Sequence, residues 1–253
     1  MSGATSPGPG ISLPGDGPYV AALEEILDWS RRHESRLGYF AALYWHVEVT
    51  LEEALKNGQF DHPEWIEALN TVFFQRYLDA AAHFRAGEPA TAAWQVAFDA
   101  LASPHYVVVQ HLLLGANAHI DFDLAIATAE AIRPADMAAF RPDYDRMNGL
   151  LESLVNDLNA ELSRVWPLLK WISRIGGPAE DAVIGFSMRL AREDAWNEAQ
   201  LLSAMDPAKR DAAIKVHDAK VAALARDIEG PGFLAGLVIA IIRWGEHGSV
   251  RCV

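Results

Sequence analysis

The sequence predicts an all-α protein: a single-domain orthogonal helical bundle of eight or nine helices around a buried central helix over about 105–132. Three observations carry that expectation. Of the 253 residues, 51% are hydrophobic, enough apolar material for one large core. Alanine and leucine dominate the long segments while β-branched residues are scarce, and the former lose little freedom on entering a helix. Between Gly and Pro breaks, apolar positions recur with the 3.6-residue period of a helix rather than the two-residue period of a strand.

Residues 1–17 are rich in Gly, Pro and Ser and are expected to form a disordered tail, which leaves 18–250 as a single helical domain. A first helix is expected over 19–33, where Val20, Leu23, Ile26 and Leu27 make one stripe and Glu24, Glu25 and Asp28 another. A second covers roughly 35–57 and stops at Asn57-Gly58. Asp61-His62-Pro63-Glu64 reads as an N-cap with Pro just inside a third helix, which runs to about Gly87. A short helix over 90–102 closes at Ser103-Pro104, the central helix stops before Pro134, and a long helix spans 142–166. Gly176-Gly177-Pro178 marks a break, after which helices are expected over 179–204, 207–229 and 232–245. No repeat of 20–50 residues occurs, which excludes a solenoid.

A net charge of -13 with no basic block argues against a nucleic-acid or anionic-membrane binder and leaves a small-molecule substrate as the expected partner. Cys252 is the single cysteine, so no disulfide forms within the chain and a reducing compartment fits. The N-terminal stretch lacks the basic start and apolar core of a secretory signal. The longest apolar run, Phe233 to Ile242, is too short for a bilayer of about 30 Å. A cytoplasmic location is expected; the oligomeric state stays open.

The most informative stretch is His111-Leu-Leu-Leu-Gly115-Ala-Asn117-Ala-His119-Ile-Asp121-Phe-Asp123. It sets two imidazoles, one carboxamide and two carboxylates into an apolar helical run, where each must be paired or used. His119 and Asp123 stand four apart and share a face, so both can reach one metal ion, water or substrate atom. His111 lies two turns and about 80° away, on a neighbouring face. Gly115 removes a side chain and admits a close neighbour. Asn117 and Asp121 point elsewhere, so part of the set serves structure, and a buried polar network that knits helices together is the plain alternative.

Asp79 and His83 repeat the four-residue spacing, with an exposed ion pair as the simpler reading. Arg76-Tyr77 and the cluster Arg189, Arg192, Glu193, Asp194 and Trp196 offer guanidinium forks and aromatic faces to a substrate or to a neighbouring helix. His46, Glu48 and Glu52 have polar neighbours and read as a solvated face. There is no Gly-x-Gly-x-x-Gly turn, phosphate-binding loop or nucleophile elbow. Asn156-Asp157-Leu158 begins like a terpene-cyclase magnesium motif, but Ala160 and Arg164 stand where a hydroxyl and a glutamate are needed.

Leu114-Gly115-Ala116-Asn117-Ala118-His119-Ile120, with Asp123-Leu124, resembles the hallmark of an uncharacterised bacterial family of helical proteins, a domain of unknown function. Phe74-x-Arg76-Tyr77 and Arg192-x-x-Ala195-Trp196 fit the same pattern, so the likeness covers most of 35–205. It implies a helical fold and a site at the motif, and no activity. His119-x-x-x-Asp123 also resembles one element of the zinc-dependent phospholipase C class, whose further ligands are not recognisable here.

Three functions remain open. In the first, a metal-assisted hydrolase or lyase, His111, His119 and Asp123 ligate zinc, iron or manganese beside Asn117, while Arg76, Tyr77, Arg192 and Trp196 bind substrate. In the second, a metal-free cyclase-type enzyme of secondary metabolism, His119 and Asp123 form an acid/base pair in an aromatic pocket. In the third, the chain is a non-catalytic binding or scaffold protein.

Overall fold

The computed structural model describes residues 17–165 and 188–230. The expected tail up to residue 16, the break at Gly176-Gly177-Pro178, the start of the helix expected from 179, the helix expected over 232–245 and Cys252 lie outside the described residues. The rest is helical throughout: α1 (Pro18–His33), α2 (Leu37–Lys56), α3 (Pro63–Ala86), α4 (Ala92–Leu101), α5 (Val108–Ala116), a π-helical segment (Asn117–Asp123), α6 (Leu124–Ala131), α7 (Met137–Val165), α8 (Met188–Ser203) and α9 (Pro207–Glu229). No strand occurs among the described residues, and none of their helices is long and apolar enough to cross a membrane.

Local chemistry accounts for the helix ends. Pro18, Pro63 and Pro207 stand in the first turn, where a missing N–H costs nothing. Gly58 and Gly87 follow α2 and α3 with φ of 66° and 70°, a left-handed conformation that favours glycine. The start of α3 differs from expectation. His62 holds the cap position and Asp61 does not cap; instead Asp143 of α7 accepts from the Asp61 and His62 amides at 2.9 and 2.7 Å. Asp218 of α9 does the same for α4, accepting from the Ala92 and Ala93 amides at 2.8 Å each. Helix α7 begins five residues before Pro142, which gives up one backbone bond in the second turn.

The centre of the molecule is the unbroken run α5–π–α6. It packs against α2, α3, α4, α8 and α9, and from 114 to 129 every residue except Asp121 is buried. The apolar faces of α7 and α8 meet the same core through Phe140, Tyr144, Ala195 and Trp196. A regular α-helix was the expectation for the run; its middle is instead π-helical, with the Leu124 amide reaching back five residues to the His119 carbonyl. Gly115 sets the approach of α2: a Cβ there would lie 2.6 Å from the Phe40 ring, so only glycine lets that ring lie against the central helix.

Candidate functional site

The π segment carries the motif and directs its polar groups in several directions. Asn117 donates to the Val221 carbonyl of α9 at 3.2 Å, and its own oxygen has no partner among the described residues. The Asp121 carbonyl accepts from His217 Nε2 at 2.6 Å. The Asp121 carboxyl has one buried, unpartnered oxygen, and burial together with nearby Asp194 pushes it up to about 7.

His119 faces the other way, into the core between α2, α3 and α4. Its ring stacks on Phe73 at 3.7 Å with an interplanar angle of 4°, and the rings of Tyr44 and Phe40 approach it edge-on at 4.8 and 5.9 Å. Nδ1 lies 3.2 Å from Asp123 Oδ2. A carboxylate accepts, so Nδ1 carries the proton and Nε2 is left with a lone pair. Asp123 is itself held twice more: Arg76 Nε donates to Oδ1 and Trp94 Nε1 to Oδ2, each at 2.8 Å. The result is a carboxylate fixed by three helices that in turn fixes the imidazole. Burial holds the His119 ring below its ordinary value against the pull of Asp123, and Arg76 adds to the depression. The ring is 2% exposed, and Nε2 has no partner among the described residues.

His119 lines an apolar cavity of about 90 Å³ between α2, α3, the π segment and α7. A second titratable group lines it too. Glu48, read from the sequence as part of a solvated face, is 1% exposed. The reason is its place on α2, one turn beyond Tyr44 and on the stripe that includes Phe40 and Leu51, all of them buried. Glu48 Oε2 accepts from Asn70 at 2.8 Å while Oε1 has no partner among the described residues. Burial pushes the carboxyl up to about 7, against the opposing pull of Asn70 and Tyr44.

The other expected site residues divide. Arg76 reaches the site through Asp123, and Tyr77 is buried beside His119 with ring centroids 5.8 Å apart. Arg192 lines the far side of the cavity, with Nε on Asn148 and its guanidinium 4.5 Å from the Tyr144 ring. Trp196 packs on Tyr144 at 4.7 Å and serves the core. His111 stands apart, between Tyr39 and Tyr106, where burial and Arg36 bring it down to about 4. Asp79 is exposed and bonds Gln75, while His83 faces Glu88, so that expected pair does not form. Among the described residues no group of three His, Cys, Asp or Glu side chains converges as metal ligands. His111, His119 and Asp123 do not come together as such a group, and Asp123 is bonded by Arg76, Trp94 and His119. Trp94, Phe73, Glu48 and Asn70 were missed from sequence; for Glu48 the helical stripe was the available signal.

Fold and site together define an all-α bundle with a His–Asp pair buried beside a small apolar cavity. By a family-model match over residues 19–231, the chain belongs to a family of unknown function, DUF5995. No curated protein and no solved structure matches it.

Proposed function

We propose that the chain is a metal-free proton-transfer enzyme, of the isomerase, lyase or cyclase type, acting on the uncharged, mostly apolar end of a small molecule. The observation that carries this reading is the state of His119: one ring nitrogen is tied to a carboxylate that Arg76 and Trp94 hold, and the other is unpartnered in a residue that lines the cavity. A neutral, oriented imidazole in a dry site is a general base whose proton acceptor needs no reorganisation. Glu48 supplies the complementary group. One environment pushes an imidazole down and the other pushes a carboxyl up to about 7, so near pH 7 the base is deprotonated while about half of the carboxyl still holds its proton. In such a site Nε2 takes a proton from carbon, the electron pair moves to an adjacent carbonyl oxygen, and the Glu48 carboxyl protonates that oxygen to give the enol. Return of the proton from Nε2 to another carbon conjugated with the enol, while the Glu48 carboxylate takes back the enol O–H proton, completes an isomerisation and restores both groups.

Deuterium wash-in tests this without knowledge of the natural substrate. The protein is incubated with 2-butanone in D2O and label at the α-carbon is followed by NMR. The expected outcome is exchange above the buffer rate, falling by about 10²-fold or more in His119→Gln, the usual worth of a general base, with the helical fold retained by circular dichroism. Exchange at the buffer rate in the wild-type protein contradicts the reading. A second reading, a polar lock in a binding or scaffold protein, draws support from the cavity volume of about 90 Å³, below the roughly 300 Å³ of a complete ligand site. It expects His119→Gln to change stability alone.

A further inference from the structure

The cavity beside His119 is too small for a whole substrate, but a second space adjoins it. A polar groove of about 510 Å³ lies on the outer side of the seam between α2 and α7, and Leu154 lines both spaces. Along α2, Val47, Glu48 and Leu51 face the inner cavity while Thr50, Glu53 and Ala54 face the groove. Along α7, Met147 and Leu151 lie inside while Arg146, Gly149 and Leu150 lie outside. The two spaces thus draw on different residues of the same two helices and meet at Leu154, one mostly apolar and the other polar.

Gly149 gives the groove an independent mark. Glycine inside a helix costs about 1 kcal/mol relative to alanine, so it calls for a reason. For Gly38 and Gly115 the reason is close packing, since a Cβ would meet Ser30 at 3.0 Å and Phe40 at 2.6 Å. At Gly149 a Cβ would meet nothing among the described residues within 4 Å, and its φ does not require glycine. A side chain at 149 would instead enter the open space of the groove. Charge limits the occupant. The Arg146 guanidinium is already shared by Asp61, at 2.8 Å, and Asp143, while Glu53 adds a negative charge. The groove therefore offers hydrogen bonds from groups such as Asn57 and Gln59, without a surplus positive charge for an anion.

We infer that cavity and groove form one bipartite site for a linear, uncharged amphiphile, whose mostly apolar, carbonyl-bearing end passes Leu154 to reach His119 while its hydroxylated or amide head occupies the groove. This rests on the proposed proton-transfer reading for the identity of the buried end, and extends it by assigning the substrate class and the groove. Leu154 is the partition that yields as the chain enters, and Gly149 is a specificity residue that touches the head.

Binding of n-butyl, n-hexyl and n-octyl β-glucosides, read from the shifts of the Gly149 and His119 amide resonances, tests the assignment separately from catalysis. Each added methylene should tighten binding by about fourfold until the cavity is filled. The octyl chain carrying a sulfate head should bind at least tenfold more weakly than the glucoside. Gly149→Leu should weaken the octyl glucoside by at least tenfold without lowering the melting temperature. Asn57→Trp, which obstructs the groove from α2, should do the same. Octyl glucoside binding unchanged in both variants, or tighter binding of the sulfate, overturns the inference. Deuterium wash-in of 2-butanone, which needs no groove, is read on the wild-type protein as a separate measurement. Its loss in the wild-type protein would count against the catalytic reading and leave the binding result to stand or fall alone.

Discussion

Glu48 is buried with one carboxyl oxygen lacking a partner among the described residues, an arrangement that lowers stability whenever the group is charged. Its value rises from 4.5 to about 7 on folding, so the folded protein holds this proton more tightly than the unfolded chain does. The sign follows from linkage: the stabilisation is fully present below pH 4.5 and is lost as pH rises through about 7. The loss amounts to about 3 kcal/mol by the usual conversion. Asp121 titrates in the same direction, from 3.8 to about 7, and remains in any Glu48 variant. His46, His111 and His119, whose values burial lowers, titrate in the opposite sense in wild type and variant alike. In urea unfolding, Glu48→Gln is therefore expected to gain about 2–3 kcal/mol relative to the wild-type protein between pH 5 and pH 8. An unchanged pH dependence in the variant would mean that Glu48 is solvated after all. The same residue shows what local context hides. His119 and Asp123 were legible because two ligand-type side chains stood four apart in an apolar run. Glu48 was not, because Glu52 and Glu53 beside it read as solvent-facing, although Phe40, Tyr44 and Leu51 place it on the buried stripe.

At the scale of elements, each helix among the described residues falls near its expected position, because periodicity and Pro/Gly punctuation are local signals. Two features are not local. The π segment carries residues that an α-helix would also accept, so its wider turn is not marked by residue type, and it lies where the central run meets α3, α4, α8 and α9. The caps of α3 and α4 come from Asp143 and Asp218, more than 80 and 120 positions along the chain. A sequence pattern shows that Asp61 could cap; it does not show that Asp143 will. Because Asp143 is fully buried and holds two amides, Asp143→Ala leaves both unpaired and is expected to cost about 1–3 kcal/mol. Asp61→Ala, which loses an exposed ion pair with Arg146, is expected to cost less than about 1 kcal/mol. Chemical denaturation of the two variants side by side checks this, and an Asp61→Ala cost equal to or above that of Asp143→Ala would refute the cross-helix cap.

At the scale of the whole molecule, the all-α bundle around a buried central helix follows from composition and period, since burying so continuous an apolar run requires helices on every side of it. What the sequence could not supply is which polar groups of that run meet. The expected ligand set joined His111 to His119 on helical spacing. The fold instead separates them and brings Arg76, Trp94 and Glu48 to His119 from three other helices. Proton transfer at this site requires that the assembly deliver a neutral imidazole with a free Nε2. Long-range nitrogen–proton NMR correlation of the labelled protein reads this directly at the His119 ring between pH 5.5 and 8. The expected result is the neutral form protonated on Nδ1 throughout that range, with Asp123→Asn weakening the preference. A ring protonated on Nε2, or on both nitrogens at pH 7, would contradict a general base at Nε2.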